Sequence, residues 1–172
     1  NHGGGWRDAP DTKEPFEVRF QRKHETDFRA VCWDETDGED CLYMDEVQSA
    51  LNATGVVDLV GFDACLMGMI EVAYEIRTNA EVMVGSEESV PAKGWPYHVV
   101  LRDLASDPFR HPYDLATSIV DRYYESYQGS YNYTNTALDL DNMEDLADAL
   151  SSFAQIMINS WNTDRGAVAD SA

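Results

Sequence analysis

The sequence predicts an α/β fold with parallel strands joined by a crossover helix, and three observations predict it. Val56–Asp63, VVDLVGFD, is an apolar run with β-branched residues, as expected of a strand buried on both faces. Met69, Ile70, Ala73, Tyr74 and Ile76 then recur with helical spacing, and Glu81–Ser86, EVMVGS, reads as a second strand. Strand, helix and strand over about thirty residues make a βαβ unit with a right-handed crossover, so the two strands are parallel. The length of 172 residues and the 44% hydrophobic content suit a single domain, 1–172, with its own core.

Taken in order, Asn1–Trp6 reads as a loop, because Gly3, Gly4 and Gly5 in succession leave the backbone permissive. Phe16–Phe20 (FEVRF) alternates apolar and charged residues, and Phe28–Trp33 (FRAVCW) is a second β-like run. Together they predict a hairpin whose tip carries Arg22, Lys23 and His24. Tyr43–Ala53 predicts a helix: Asp45 and Glu46 suit the positive end of its dipole, Val47, Ala50 and Leu51 share a face, and Gly55 stands past its end.

Beyond the βαβ unit, EESVPAKGWPY forms a turn-rich loop off the same sheet edge. Pro96 and Pro112 each suit the first turn of a helix, one carrying Val100, Leu101 and Leu104, the other Leu115, Ile119 and Tyr123. Thr134–Leu140 reads as one more strand. Asp141 with Glu144 opens a last helix whose stripe is Leu146, Leu150, Phe153, Ala154 and Met157, and 165–172 reads as an unstructured tail. The chain has no start methionine and opens directly on a glycine-rich segment, so it is read as a processed piece or fragment.

Thirty-two acidic residues against twelve basic ones give a formal charge of -20, which argues against nucleic acid or an anionic membrane as partner and favours cationic ones. No run of eighteen apolar residues is present to cross a bilayer as a helix. Of the three cysteines, Cys32 and Cys41 bracket an acidic loop. A bridge between them would leave Cys65 as the single free thiol and imply an oxidising compartment; three reduced cysteines are the alternative.

Cys65 stands where the first strand of the βαβ unit gives way to the crossover helix, on the carboxyl edge where open α/β sheets bind ligands. A lone cysteine is commonly a small core hydrophobe. At a helix N-terminus, however, the dipole favours the thiolate, which is the nucleophile, and nearby backbone N–H groups can hold an oxyanion. A thiolate also needs a histidine near in space. His24 lies in the charged tip, His98 just inside a helix and His111 at a helix start, whereas His2 lies in a glycine loop that lets a substrate backbone approach.

Asn1-His2-Gly3 followed by Asp63-Ala64-Cys65-Leu66-Met67 resembles the clostripain family of cysteine peptidases, whose fold is caspase-like. WDETDGEDCLYMDEVQSAL and VGSEESVPAKGWPY extend the resemblance over roughly residues 1–104. It implies a three-layer α/β/α sandwich with a mostly parallel sheet, lacking here the N-terminal strand that delivers the histidine. It also implies an endopeptidase acting on peptide or protein substrates after Arg or Lys. His2 would protonate the leaving amine, Cys65 would attack the carbonyl, and the amides of Gly3 and Cys65 would form the oxyanion hole.

Asp63 matches the acid that selects the basic side chain, with Ser86 and Glu87 beside it; the alternative for Asp63 is a cap on the following helix. No cofactor is required for this chemistry. The resemblance admits calcium at the acidic loop Asp34, Glu35, Asp37, Glu39 and Asp40, which departs from the EF-hand pattern and otherwise reads as a solvated turn. It further implies a secreted, cell-surface or periplasmic protein, self-cleaved near Arg22, Lys23 and Arg29, with the upstream fragment as a partner. A non-catalytic acidic module binding basic peptides or calcium is the competing reading.

Overall fold

The computed structural model describes residues 3–5, 30–34, 40–129 and 133–169, which fall into two compact units, one ending at Leu140 and one starting at Asp141. The first unit contains two sheets. The smaller one is antiparallel, in the order β1 (Gly3–Gly5), β2 (Ala30–Asp34) and β3 (Asp40–Tyr43). Gly3 pairs with Val31 and Gly5 with Ala30, so the glycine run expected to be a loop is a strand. Glycine is a poor strand former for entropic reasons, but its N–H and C=O ladder as well as any other residue's. The predicted partner Phe16–Phe20 lies outside the described residues, as do Arg22, Lys23 and Arg29 of the expected self-cleavage region.

β3 runs straight into α1 (Met44–Thr54), whose first turn is closed by the Tyr43 N–H donating to Glu46 Oε2 at 2.9 Å. Cys32, exposed, and Cys41, buried, are both thiols and share no disulfide.

The larger sheet has the order β4 (Val57–Gly61), β5 (Ala80–Gly85) and β6 (Thr136–Asp139). β4 and β5 are parallel, with Leu59 opposite Val82, and α2 (Ile70–Ile76) makes the crossover. β6 returns antiparallel, pairing Thr136 with Gly85. Hence the carboxyl ends of β4 and β5 and the residues leading into β6 share one edge.

β5 is the central strand and is buried on both faces, as its near-continuous apolar sequence predicts. Val82 and Val84 point into a cluster with Trp95, Val100, Ala116, Ile119 and Tyr123. That face is covered by α3 (Tyr97–Ser106) and α4 (Pro112–Tyr127). Met83 faces the other way and is equally buried, as are Val72, Ala73 and Ile76 of α2. These are the two helical layers of an α/β/α arrangement. α3 and α4 are tied together at Asp103, whose Oδ2 accepts from Arg122 Nε at 2.7 Å and Ser118 Oγ at 3.3 Å. Pro112 occupies the first position of α4, and the ring of His111 caps it by accepting from the Tyr113 N–H.

The second unit is the helix α5 (Met143–Ala169). It runs through Arg165, where a tail was expected; no proline follows Pro112, and Ala167 and Ala169 favour helix. Its expected core stripe, including Leu146, Leu150, Phe153 and Met157, is exposed. No described helix is long and apolar enough to cross a membrane.

Candidate active site

Cys65 sits on the carboxyl edge of the larger sheet, in the turn after β4. The expected helix N-terminus is not there. α2 begins only at Ile70 with Met69 as its N-cap, and between them Leu66 takes φ +60°. A bulky residue in the left-handed region is strained, and such strain is retained only where surrounding contacts over-determine it. Here those contacts come from the segment after β5. The Leu66 N–H donates to the Glu88 carbonyl at 3.2 Å, and the Gly68 N–H donates to the Ser86 carbonyl at 2.8 Å. Gly68 lies so close to the Gly85 carbonyl that an added Cβ would sit 2.7 Å from its oxygen.

The sulfur itself is held by this second segment. The Val90 N–H donates to Cys65 Sγ at 3.2 Å, and the Val90 carbonyl lies 4.0 Å from the same sulfur. The nucleophile candidate is thus oriented by a backbone amide of the neighbouring segment, not by a helix N-terminus.

Asp63 does not cap a helix. Its Oδ2 accepts from the Trp95 N–H at 3.0 Å and from the Tyr97 hydroxyl at 2.9 Å, while its Oδ1 is buried with no partner among the described residues. The carboxylate is thus fixed through one oxygen only. The Tyr97 hydroxyl is pushed up to about 12 by burial and by the carboxylate it donates to, so it remains a donor at neutral pH. Gly94, at φ +63°, packs against this carboxylate, and any Cβ there would collide with Asp63 Oδ2. The Gly94 carbonyl in turn accepts from the Tyr127 hydroxyl at 2.7 Å, which ties the loop to α4.

Ser86 is 1% exposed, and its hydroxyl is used internally: it contacts the Glu88 carbonyl at 3.0 Å and Thr134 Oγ1 at 3.1 Å. Glu87 is exposed, with its N–H donating to Thr134 Oγ1 at 3.0 Å. Gly3 is placed in β1, and His2 lies outside the described residues. The structure therefore brings Cys65, Asp63, Ser86 and Glu87 to one edge. Asp63 also lines a cleft of about 250 Å³, together with Val31, Cys32, Leu42, Phe62 and Ala64.

Sequence reasoning missed Val90, Thr134 and Tyr127, and gave no role to Trp95 or Tyr97 although GWPY stood out as a motif. Among the described residues no three His, Cys, Asp or Glu side chains come together as a metal site; residues 35–39 of the acidic loop are not among them.

Comparison with known proteins bears on the family and the fold. The chain is 40% identical over 107 residues to clostripain from Hathewaya histolytica, a match covering 56% of this chain and 18% of that one. A secreted C11 cysteine protease from Bacteroides thetaiotaomicron, solved with an irreversible peptide inhibitor, superposes with a TM-score of 0.62 and 25% identity over 87% of this chain and 40% of its own. A B. fragilis cysteine protease gives 0.57 and 26% over 67% of this chain and 50% of its own. The chain thus spans between about a fifth and a half of the length of these relatives. The fold this chain shares with them is a caspase-like α/β one. The Peptidase C11 model matches residues 1–170, and the chain belongs to the clostripain family.

Proposed function

We propose that this chain forms the nucleophile-bearing part of a cysteine endopeptidase that cleaves after Arg or Lys. The observation that carries the reading is Asp63, two residues before Cys65, with one carboxylate oxygen accepting hydrogen bonds from Trp95 and Tyr97 and the other buried and unpartnered among the described residues. A buried carboxylate oxygen without a partner is costly. A cationic side chain supplies what it lacks: guanidinium or ammonium N–H groups donate to Oδ1, and the charge is compensated where water is scarce. The formal charge of -20 draws cationic peptides toward the site at long range.

In this reading the basic side chain anchors at Asp63 and so presents the next carbonyl carbon to Cys65. The thiolate attacks, and the oxyanion takes N–H donors from Gly3 and Cys65. The C–N bond then breaks as His2, in its imidazolium form, gives its proton to the leaving amine, and a thioester remains. Water, deprotonated by the now neutral His2, attacks the thioester, and the sulfur leaves as thiolate. The basic segment at Arg22 and Lys23 is a self-cleavage substrate of the same specificity. The protein acts outside the cytoplasm, consistent with the secreted protease among its relatives. Calcium at the acidic loop would be structural, since none of these steps requires a metal.

The test is amidolysis of arginyl and lysyl peptide amides by the full-length protein. Turnover that disappears in Cys65→Ala is expected; turnover unchanged in Cys65→Ala, or none on basic peptides by the wild type, overturns the reading.

A further inference from the structure

We propose that Thr134, which neither touches the sulfur nor lies near it in sequence, is the positioning residue for the Cys65 nucleophile, acting through the segment Ser86–Val90. This role rests on the peptidase reading and goes beyond it. Thr134 precedes β6 and reaches the carboxyl edge because β6 runs antiparallel to β5, with Thr136 opposite Gly85. Its hydroxyl oxygen accepts from two consecutive amides, Glu87 N–H at 3.0 Å and Glu88 N–H at 3.1 Å, and lies 3.1 Å from Ser86 Oγ.

The hydroxyl protons can be assigned by elimination. Ser86 Oγ donates to the Glu88 carbonyl at 3.0 Å, so Thr134 is the donor to Ser86. Thr134 Oγ1 then gives one hydrogen bond and accepts two, which exhausts its capacity. Ser86 Oγ also receives the Glu88 N–H at 3.2 Å, which is shared between the two hydroxyls. Thr134 therefore clamps the Ser86–Glu88 turn from the residues leading into β6, which pairs with β5 just before that turn.

This turn contacts the nucleophile loop at three points in order along the chain. The Ser86 carbonyl accepts from the Gly68 N–H, the Glu88 carbonyl accepts from the Leu66 N–H, and the Val90 N–H donates to Cys65 Sγ. Leu66, held in the left-handed region next to Cys65, is where the nucleophile loop most needs such support. Removing the Thr134 hydroxyl leaves the Glu87 and Glu88 amides to find other partners. The Val90 N–H then loses its fixed aim at sulfur, while Asp63, anchored separately by Trp95 and Tyr97, keeps its place. A defect in chemistry with substrate binding intact is the consequence.

The experiment compares Thr134→Val and Thr134→Ala, which delete the hydroxyl, with Thr134→Ser, which keeps it, in the full-length protein. Two quantities are read: kcat and KM on an arginyl peptide amide, and the rate at which iodoacetamide alkylates Cys65 by mass spectrometry. The hydroxyl-free variants are expected to lose about tenfold in kcat, with KM within about twofold, and to alkylate more slowly; Thr134→Ser stays close to wild type. Thr134→Ala serves where the branched Val does not fold. Wild-type kcat and alkylation in a folded hydroxyl-free variant overturn the proposal, and so does a Thr134→Ser defect equal to that of Thr134→Ala. A wild type that cleaves no basic peptide overturns the peptidase reading instead, and the alkylation rates still decide the role of Thr134.

Discussion

Two segments leave the same sheet edge and divide the work between them. The one after β4 is short and carries the proposed substrate anchor Asp63 and the proposed nucleophile Cys65, with a strained Leu66 beside them. The one after β5 carries no group that must react, yet supplies the N–H to sulfur, both donors to Asp63 Oδ2 and the carbonyls that hold Leu66 and Gly68. The difference teaches that reactivity and its support sit on neighbouring parallel strands and are coupled by backbone hydrogen bonds. Substitutions in the first segment should therefore abolish function, whereas those in the second should grade it.

The largest effect is expected in the first segment. Cys65→Ala is expected to lower amidolysis by about 10⁴-fold or more, measured as kcat on an arginyl peptide amide, because no other thiol can replace the nucleophile there. Asp63→Asn keeps a similar shape but removes the charge. It is expected to cost about 10²-fold to 10³-fold in kcat/KM for basic peptides, consistent with an uncompensated buried cation, and much less for a neutral residue at the cleaved position. Equal losses on both substrates would assign Asp63 to the scaffold alone and break the proposed division.

In the second segment, Gly94→Ala introduces both an unfavourable φ and a collision with the Asp63 carboxylate. It is expected to destabilise the protein by about 1–3 kcal/mol, read by denaturant unfolding, and to reduce kcat/KM as well. Tyr97→Phe removes one of two donors to Asp63 and is expected to cost about 1 kcal/mol in basic-substrate selectivity, about fivefold in kcat/KM.

The tyrosines behind the site add a pH dependence. Tyr123 is almost fully buried and pushed up to about 12, first by burial and then by its neighbour Tyr127 and the Asp63 charge. Because the folded state holds this proton more tightly than the unfolded chain, its stabilisation is complete below about pH 10 and declines as pH rises toward 12. Thermal unfolding at pH 9 and pH 11.5 is expected to show that decline, and Tyr123→Phe to flatten it.

The fold was legible where local pattern and tertiary environment agree. The β-branched run into β4, the buried sequence of β5 and the prolines opening α3 and α4 all announce themselves within a few residues. Pattern failed where backbone alone decides. Gly3–Gly5 joins a ladder without any side chain to signal it, and the interval from Leu66 to Met69 reads as helical because its apolar residues continue the spacing of α2. In the site, Cys65 and Asp63 were legible from their place after a strand. Their supports were not, since Val90, Trp95, Tyr97 and Thr134 lie 25 to 69 residues from Cys65 and reach it, Asp63 or the segment that holds them through tertiary hydrogen bonds.

The central claim is that Asp63 selects a cation and delivers the adjoining carbonyl to Cys65. It is tested most directly by incubating the full-length protein with matched irreversible peptidyl inhibitors that differ only in carrying Arg or Leu beside the thiol-reactive group, and locating the adduct by mass spectrometry. Rapid labelling of Cys65 by the arginyl compound and slow labelling by the leucyl one are expected. Equal labelling by both, or an adduct on Cys32 or Cys41 in place of Cys65, would contradict it.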